Sequence, residues 1–170
     1  MRRRVLAPLL LLVVAALLPA AGPAVAAPAP EADVPAALWV RPLDGGVTRP
    51  FDPPPDRYGA GHRGVDLAGA PGSAVLAAGD GVVVFAGVVA GRPVVSVDHA
   101  GGLRTTYEPV DAVVGAGQPV ARGTVLGTLA AGHAGCPVEA CLHWGLRRGE
   151  DYLDPLSLLE PPEVRLLPMY

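Results

Sequence analysis

Val94-Val95-Ser96-Val97-Asp98-His99-Ala100-Gly101-Gly102-Leu103-Arg104-Thr105-Thr106-Tyr107-Glu108 is the stretch whose reading decides the fold. Two runs rich in β-branched residues flank a short segment with adjacent glycines. Valine and threonine fit a pleated surface, and the glycine pair supplies a tight turn, so the stretch reads as a β-hairpin. The same grammar extends in both directions. Upstream, Val75 to Ala78 runs into Gly79-Asp80-Gly81, a hairpin-type turn, and Val82 to Val89 reads as a buried strand with a bend at Gly87. Downstream, Gly117-Gln118-Pro119-Val120 is a turn entering a short apolar step, and Val125 to Leu129 and Leu142 to Arg147 are further strands. No long segment has a 3.6-residue period, and the one helix expected is short, around Pro155 to Leu159. Closely spaced strands separated by glycine turns predict an all-β sandwich or barrel.

Outside this core the chain changes character. Met1-Arg2-Arg3-Arg4 precedes a mostly apolar run to Leu18, then Pro19 and small residues ending Ala24-Val25-Ala26. A basic start, a short apolar run and an Ala-x-Ala site read as a signal peptide over residues 1–26. The apolar run falls short of the roughly 20 residues of a membrane span, so no span is expected after cleavage. Residues 27–37 are a Pro/Ala-rich linker, 38–160 one domain, and 161–170 a tail. Removing the first segment takes three of the 13 basic side chains and moves the formal charge from −3 to about −6. An acidic chain without lysine lacks the basic footprint of nucleic-acid binding. The expected location is extracytoplasmic, secreted or cell-wall associated.

Cys136 and Cys141 lie within six residues of each other. In an exported protein they are expected to form a disulfide; a pair of thiolate metal ligands is the rival reading. Gly61-His62-Arg63-Gly64-Val65-Asp66-Leu67 and Cys141-Leu142-His143-Trp144 together supply two imidazoles and a carboxylate, the donor set of a zinc site with one position open. Alternation along a strand places Cys141 and His143 on one face, with Leu142 and Trp144 on the other. Gly64 is expected to permit a sharp bend between His62 and Asp66. Spacing alone favours the plainer readings, His62 as a surface loop residue and His143 as a hydrogen-bonded residue on a half-buried strand.

The order of segments carries more. The His62 segment is followed by Gly72-Ser73-Ala74-Val75-Leu76-Ala77-Ala78-Gly79-Asp80-Gly81-Val82-Val83. Then come Val97-Asp98-His99-Ala100-Gly101-Gly102-Leu103-Arg104-Thr105-Thr106-Tyr107, Gly123-Thr124-Val125-Leu126-Gly127 and Leu142-His143-Trp144. The series resembles the lysostaphin-like peptidoglycan endopeptidases, zinc metallopeptidases of the bacterial cell envelope, from about Trp39 to Leu159. The resemblance implies a two-sheet β fold with a groove. It implies Zn2+ held by His62, Asp66 and His143, and action on peptide cross-bridges of peptidoglycan.

Two departures bear on activity. The family's last motif is His-x-His, whose first histidine is catalytic; here that position is Cys141. A second catalytic histidine usually follows the tyrosine in Tyr-x-His-Leu; here Pro109 stands in its place. Positioned acid–base groups contribute about 10²–10⁴-fold, so reduced or altered activity is expected. The alternative is a non-catalytic zinc-binding module that engages wall peptide or another cell-wall hydrolase. His133, in the Gly-rich loop before Cys136, and Glu139, on the parity of Cys141 and His143, are the candidate substitutes, His133 otherwise reading as an exposed loop residue. Glu108 is assigned the opposite parity. His99 reads as structural, Tyr107 as either groove or core, Trp144 as core, and Arg147 with Arg148 as a solvated strand end.

Overall fold

A computed structural model of the chain describes residues 38–56 and 59–160. The expected signal peptide, linker and tail lie outside the described residues. Eleven strands dominate: β1 Val47–Arg49, β2 Gly64–Gly69, β3 Ala74–Leu76, β4 Gly81–Val89, β5 Arg92–Asp98, β6 Leu103–Glu108, β7 Val110–Ala112, β8 Pro119–Val120, β9 Val125–Leu129, β10 Ala140–Arg148 and β11 Asp151–Leu153. They form two sheets. The larger has the order β1-β2-β10-β6-β5-β4-β8, with β11 added to β10; the smaller is β3-β9-β7. Every pairing is antiparallel. The two-sheet, all-β architecture expected from the pattern is the one observed. The expected short helix is a 3₁₀ segment, Pro155–Leu159, started by Asp154, whose side chain accepts from Leu156 N.

The core lies between the sheets and follows the period of two. Leu142, Trp144 and Leu146 of β10, Tyr107 of β6, Val95 and Val97 of β5 and Val65 and Leu67 of β2 are all buried. They share the core with Val75, Val110, Leu126 and Leu129 from the smaller sheet. Tyr107 is fully enclosed: its hydroxyl accepts from Ala78 N (2.9 Å) and pairs with Thr105 Oγ1, and burial pushes its pKa up to about 12. Its place is thus the core, not the groove. His99 is a structural turn residue, bonded to Asp80 O (2.8 Å) and Thr105 Oγ1 (2.7 Å).

Two strand expectations are corrected. The turn Gly79-Asp80-Gly81 does not close a hairpin, because β3 pairs with β9 in one sheet and β4 with β5 in the other. The segment passes between sheets, and Gly79 is pressed against the ring of Trp39. The β4 strand is mostly exposed, with Val83 its one buried residue. It pairs with the long partner β5 while its outer neighbour β8 covers only Gly81 and Val82. Its irregularity falls between Val83 and Phe85, not at Gly87.

Candidate metal centre

Strand register builds the site. Antiparallel pairing of β2 and β10 sets Asp66 directly opposite His143. His62 precedes β2 and is pinned by a two-way backbone bridge with Asp52 (2.6 and 3.0 Å). His62 Nε2, Asp66 Oδ1 and His143 Nδ1 then converge, at 2.9 Å for each nitrogen to the carboxylate and 3.0 Å between the nitrogens. The structure therefore brings together the three residues singled out from the sequence. Gly64 serves this by close approach rather than by bending. A Cβ at Gly64 would collide with the Trp144 carbonyl and lie 2.8–2.9 Å from the His143 ring.

The donor set fits a divalent ion such as zinc. His62 Nδ1 lies 2.7 Å from Pro50 O. A carbonyl only accepts, so Nδ1 carries the proton and Nε2 presents a lone pair. That lone pair faces a carboxylate oxygen at 2.9 Å. A proton or a metal ion between them reconciles two acceptors this close, and two imidazole nitrogens with one carboxylate oxygen suit zinc. Burial works to raise the Asp66 carboxyl, but the His143 hydrogen bond and the neighbouring His133, His62 and His143 rings outweigh it and hold the group below the usual carboxylate range.

His133 is not the exposed loop residue the sequence suggested. Its side chain is 11% exposed, its ring lies parallel to His143 (centroids 6.0 Å, 6° between planes), and Nε2 is 3.8 Å from Asp66 Oδ1. The segment that carries His133, between β9 and β10, is closed onto the start of β10 by the Cys136–Cys141 disulfide. Cys136 N also donates to His133 O (3.3 Å). The bridged cysteines leave no thiolate ligand. Burial lowers the pKa of His133, with Asp66 opposing, so the ring is neutral at neutral pH. Glu139, by contrast, is exposed and lies before β10 begins, and no contact places it at the centre.

The two positions where the family carries catalytic histidines offer nothing here. Pro109 is buried, and Cys141 is fully buried with its sulfur in the disulfide. Glu108 corrects the parity assignment: it pairs directly across from His143 and so shares its face. Its carboxylate bonds Arg92 (2.8 Å) at the mouth of the site. Glu108 and the Pro50 carbonyl were missed from sequence. Pairing Leu142-His143-Trp144 against Thr106-Tyr107-Glu108 with both aromatics inward would have exposed Glu108 as a neighbour of His143.

Residues 60–155 match the profile of peptidase family M23, and the chain belongs to that family. Members of this family are zinc-dependent peptidases of peptidoglycan. The chain is 58% identical over 127 residues to the uncharacterized protein Rv2891 of Mycobacterium tuberculosis, covering 72% of this chain and 51% of that protein. It is 33% identical over 105 residues to the DD-carboxypeptidase/endopeptidase Mpg of Neisseria gonorrhoeae, covering 61% of this chain and 24% of that one. Among solved structures, a putative M23 peptidase from Pseudomonas aeruginosa superposes with a TM-score of 0.60 at 27% identity, over 74% of this chain and 51% of the other. The chain thus spans about half the length, or less, of the curated relatives it matches.

Proposed function

We propose that this protein is an exported, zinc-dependent peptidase acting on peptidoglycan peptides, in which His133 supplies the polar group that Pro109 and Cys141 cannot. The observation that carries the reading is the convergence of His62 Nε2, Asp66 Oδ1 and His143 Nδ1 within 3.0 Å, with His133 Nε2 3.8 Å from the same carboxylate. Zinc bound there would polarise the scissile carbonyl and make water a nucleophile near neutral pH. The chain's own residues do the rest. Pro50 O fixes the tautomer of His62. Neutral His133 has a free ring nitrogen to accept the proton of the attacking water. The disulfide holds that ring over the centre. One polar group in place of two accords with reduced or altered turnover. Export is supported by the N-terminal pattern of residues 1–26 and by the disulfide, which persists in oxidising compartments.

A second reading has its own support. Both catalytic positions of the family are filled by buried residues that offer no acid–base group, a proline and a disulfide-bonded cysteine. That favours a non-catalytic zinc module engaging wall peptide or another hydrolase. Digestion of purified peptidoglycan by the full chain, with and without added zinc, separates the two. Zinc-dependent release of new amino termini is the expected result. One bound zinc per chain with no release over hours would leave the binding module.

A further inference from the structure

The described part of the chain is acidic, with thirteen Asp and Glu against eight Arg. Its arginines are nevertheless gathered in one place. Arg49, Arg63, Arg92, Arg104 and Arg147, five of those eight, line two adjoining cavities of about 320 and 460 Å³ that meet at His143. Glu108 is the carboxylate lining these cavities, and Asp98 stands beside Arg104 at their far end. A positive channel on a negative body is a local electrostatic feature that selects its ligand by charge.

The channel has a regular layout. His143, Gly145 and Arg147 follow one another on the outer face of β10, and Glu108, Thr106 and Arg104 stand opposite them on β6. Ser96 and Asp98 extend the second and third rows on β5. Successive rows are about 6.8 Å apart, so the Arg147–Arg104 row lies about 14 Å from the His143 row, the span of roughly four residues of extended peptide. Gly145 forms the floor between them. A Cβ there would meet Arg63 O, His143 Nε2 and Thr106 Cβ only at 3.4–3.7 Å, so packing alone does not demand glycine. Its absent side chain keeps the channel open from the metal row to the arginine row.

At the far row the arginines are differently committed. Arg104 makes a two-point pair with Asp98. Arg147 donates to Gly149 O (3.2 Å), and its charge also acts on Asp98 without a direct ion pair between them among the described residues. Half-buried near the end of β10, it lines the channel, where planar guanidinium matches a carboxylate.

We infer that this channel is a subsite for an anionic peptide, with Arg147, assisted by Arg104, binding a substrate carboxylate about four residues from the bond held at His143. The inference rests on the peptidase reading for its scissile bond, but the binding itself does not require turnover. The carboxylate is either a side chain or a free C-terminus, and the chemistry of recognition is the same.

The test is equilibrium binding to the zinc-supplemented full chain by fluorescence anisotropy, with mass spectrometry verifying that each peptide stays intact. Three labelled peptides of equal length are used: glutamates with an amidated C-terminus, glutamines with a free C-terminus, and glutamines with an amidated C-terminus. At least one acidic peptide should bind about tenfold tighter than the neutral one, and which one identifies the source of the carboxylate. The margin should shrink as NaCl rises from about 0.05 to 0.5 M. Arg147→Gln should remove most of it, and Arg147→Lys should keep part. Arg104→Gln, judged folded by circular dichroism, should weaken it less. Equal binding of all three peptides, a margin unchanged in both glutamine variants, or tighter binding of inorganic polyphosphate than of any peptide would overturn the inference. Tight binding of an acidic peptide by a chain that releases no amino termini from peptidoglycan would keep it and sink the peptidase reading; peptidoglycan digestion with equal binding of all three peptides would do the reverse.

Discussion

Two regions of different construction meet at the centre of this molecule. Asp66 and His143 stand opposite each other on paired strands, and His62 is bridged to its neighbour by two backbone hydrogen bonds. His133 reaches the same place from an irregular segment between β9 and β10, held by one disulfide. The first region is fixed by many cooperative backbone bonds. The second depends on a single covalent closure and a ring stacked on His143. In the proposed function, metal holding and proton handling thereby fall to separable parts of the fold.

The largest effect should come from breaking the strand-borne part. Asp66→Ala removes the carboxylate on which both ligand imidazoles converge. Zinc per chain should fall from about one to near zero, since even outer-shell partners of a metal cost about 10–100-fold in affinity. Metal analysis after dialysis measures it; retention of one zinc would show that the convergence is not the metal site. An intermediate effect should come from the loop-borne part. His133→Ala should lower the rate of peptidoglycan digestion by about 100-fold or more while leaving zinc content unchanged. A parallel loss of metal would place His133 among the ligands instead. The smallest effect should come from opening the disulfide. Reduction releases a five-residue closure and should cost about 2 kcal/mol in a denaturation curve, by the loop-entropy relation. Zinc content should persist after reduction, while turnover should drop toward the His133→Ala level. Unchanged turnover would mean that the loop holds His133 without the bridge.

The same division marks what the sequence could reveal. The β5–β6 hairpin and the buried face of β10 were legible because alternation and glycine turns are local signals. The candidate triad of His62, Asp66 and His143 was legible because Asp66 and His143 lie in recognisable segments, although only pairing brings them together. The path from β3 to β4 was not, because a glycine turn looks the same whether it closes a hairpin or passes between sheets. The place of His133 was invisible for a related reason: nothing in the composition of a Gly-rich loop says which way a five-residue bridge will fold it. Glu108 was lost to a parity argument made from Pro109, which lies beyond the end of β6.

The direct opposition of Asp66 and His143 across β2 and β10 makes the centre a check on assembly as well as a binding site. A slip of one residue along β10 would turn His143 and Arg147 inward and bring Trp144 out to the channel. In that arrangement the three donor atoms never meet. An ion that binds only the correct pairing stabilises that pairing by mass action. Metal uptake during folding would then act as a proofreader of strand register, fastening the one alignment in which both core and centre are complete.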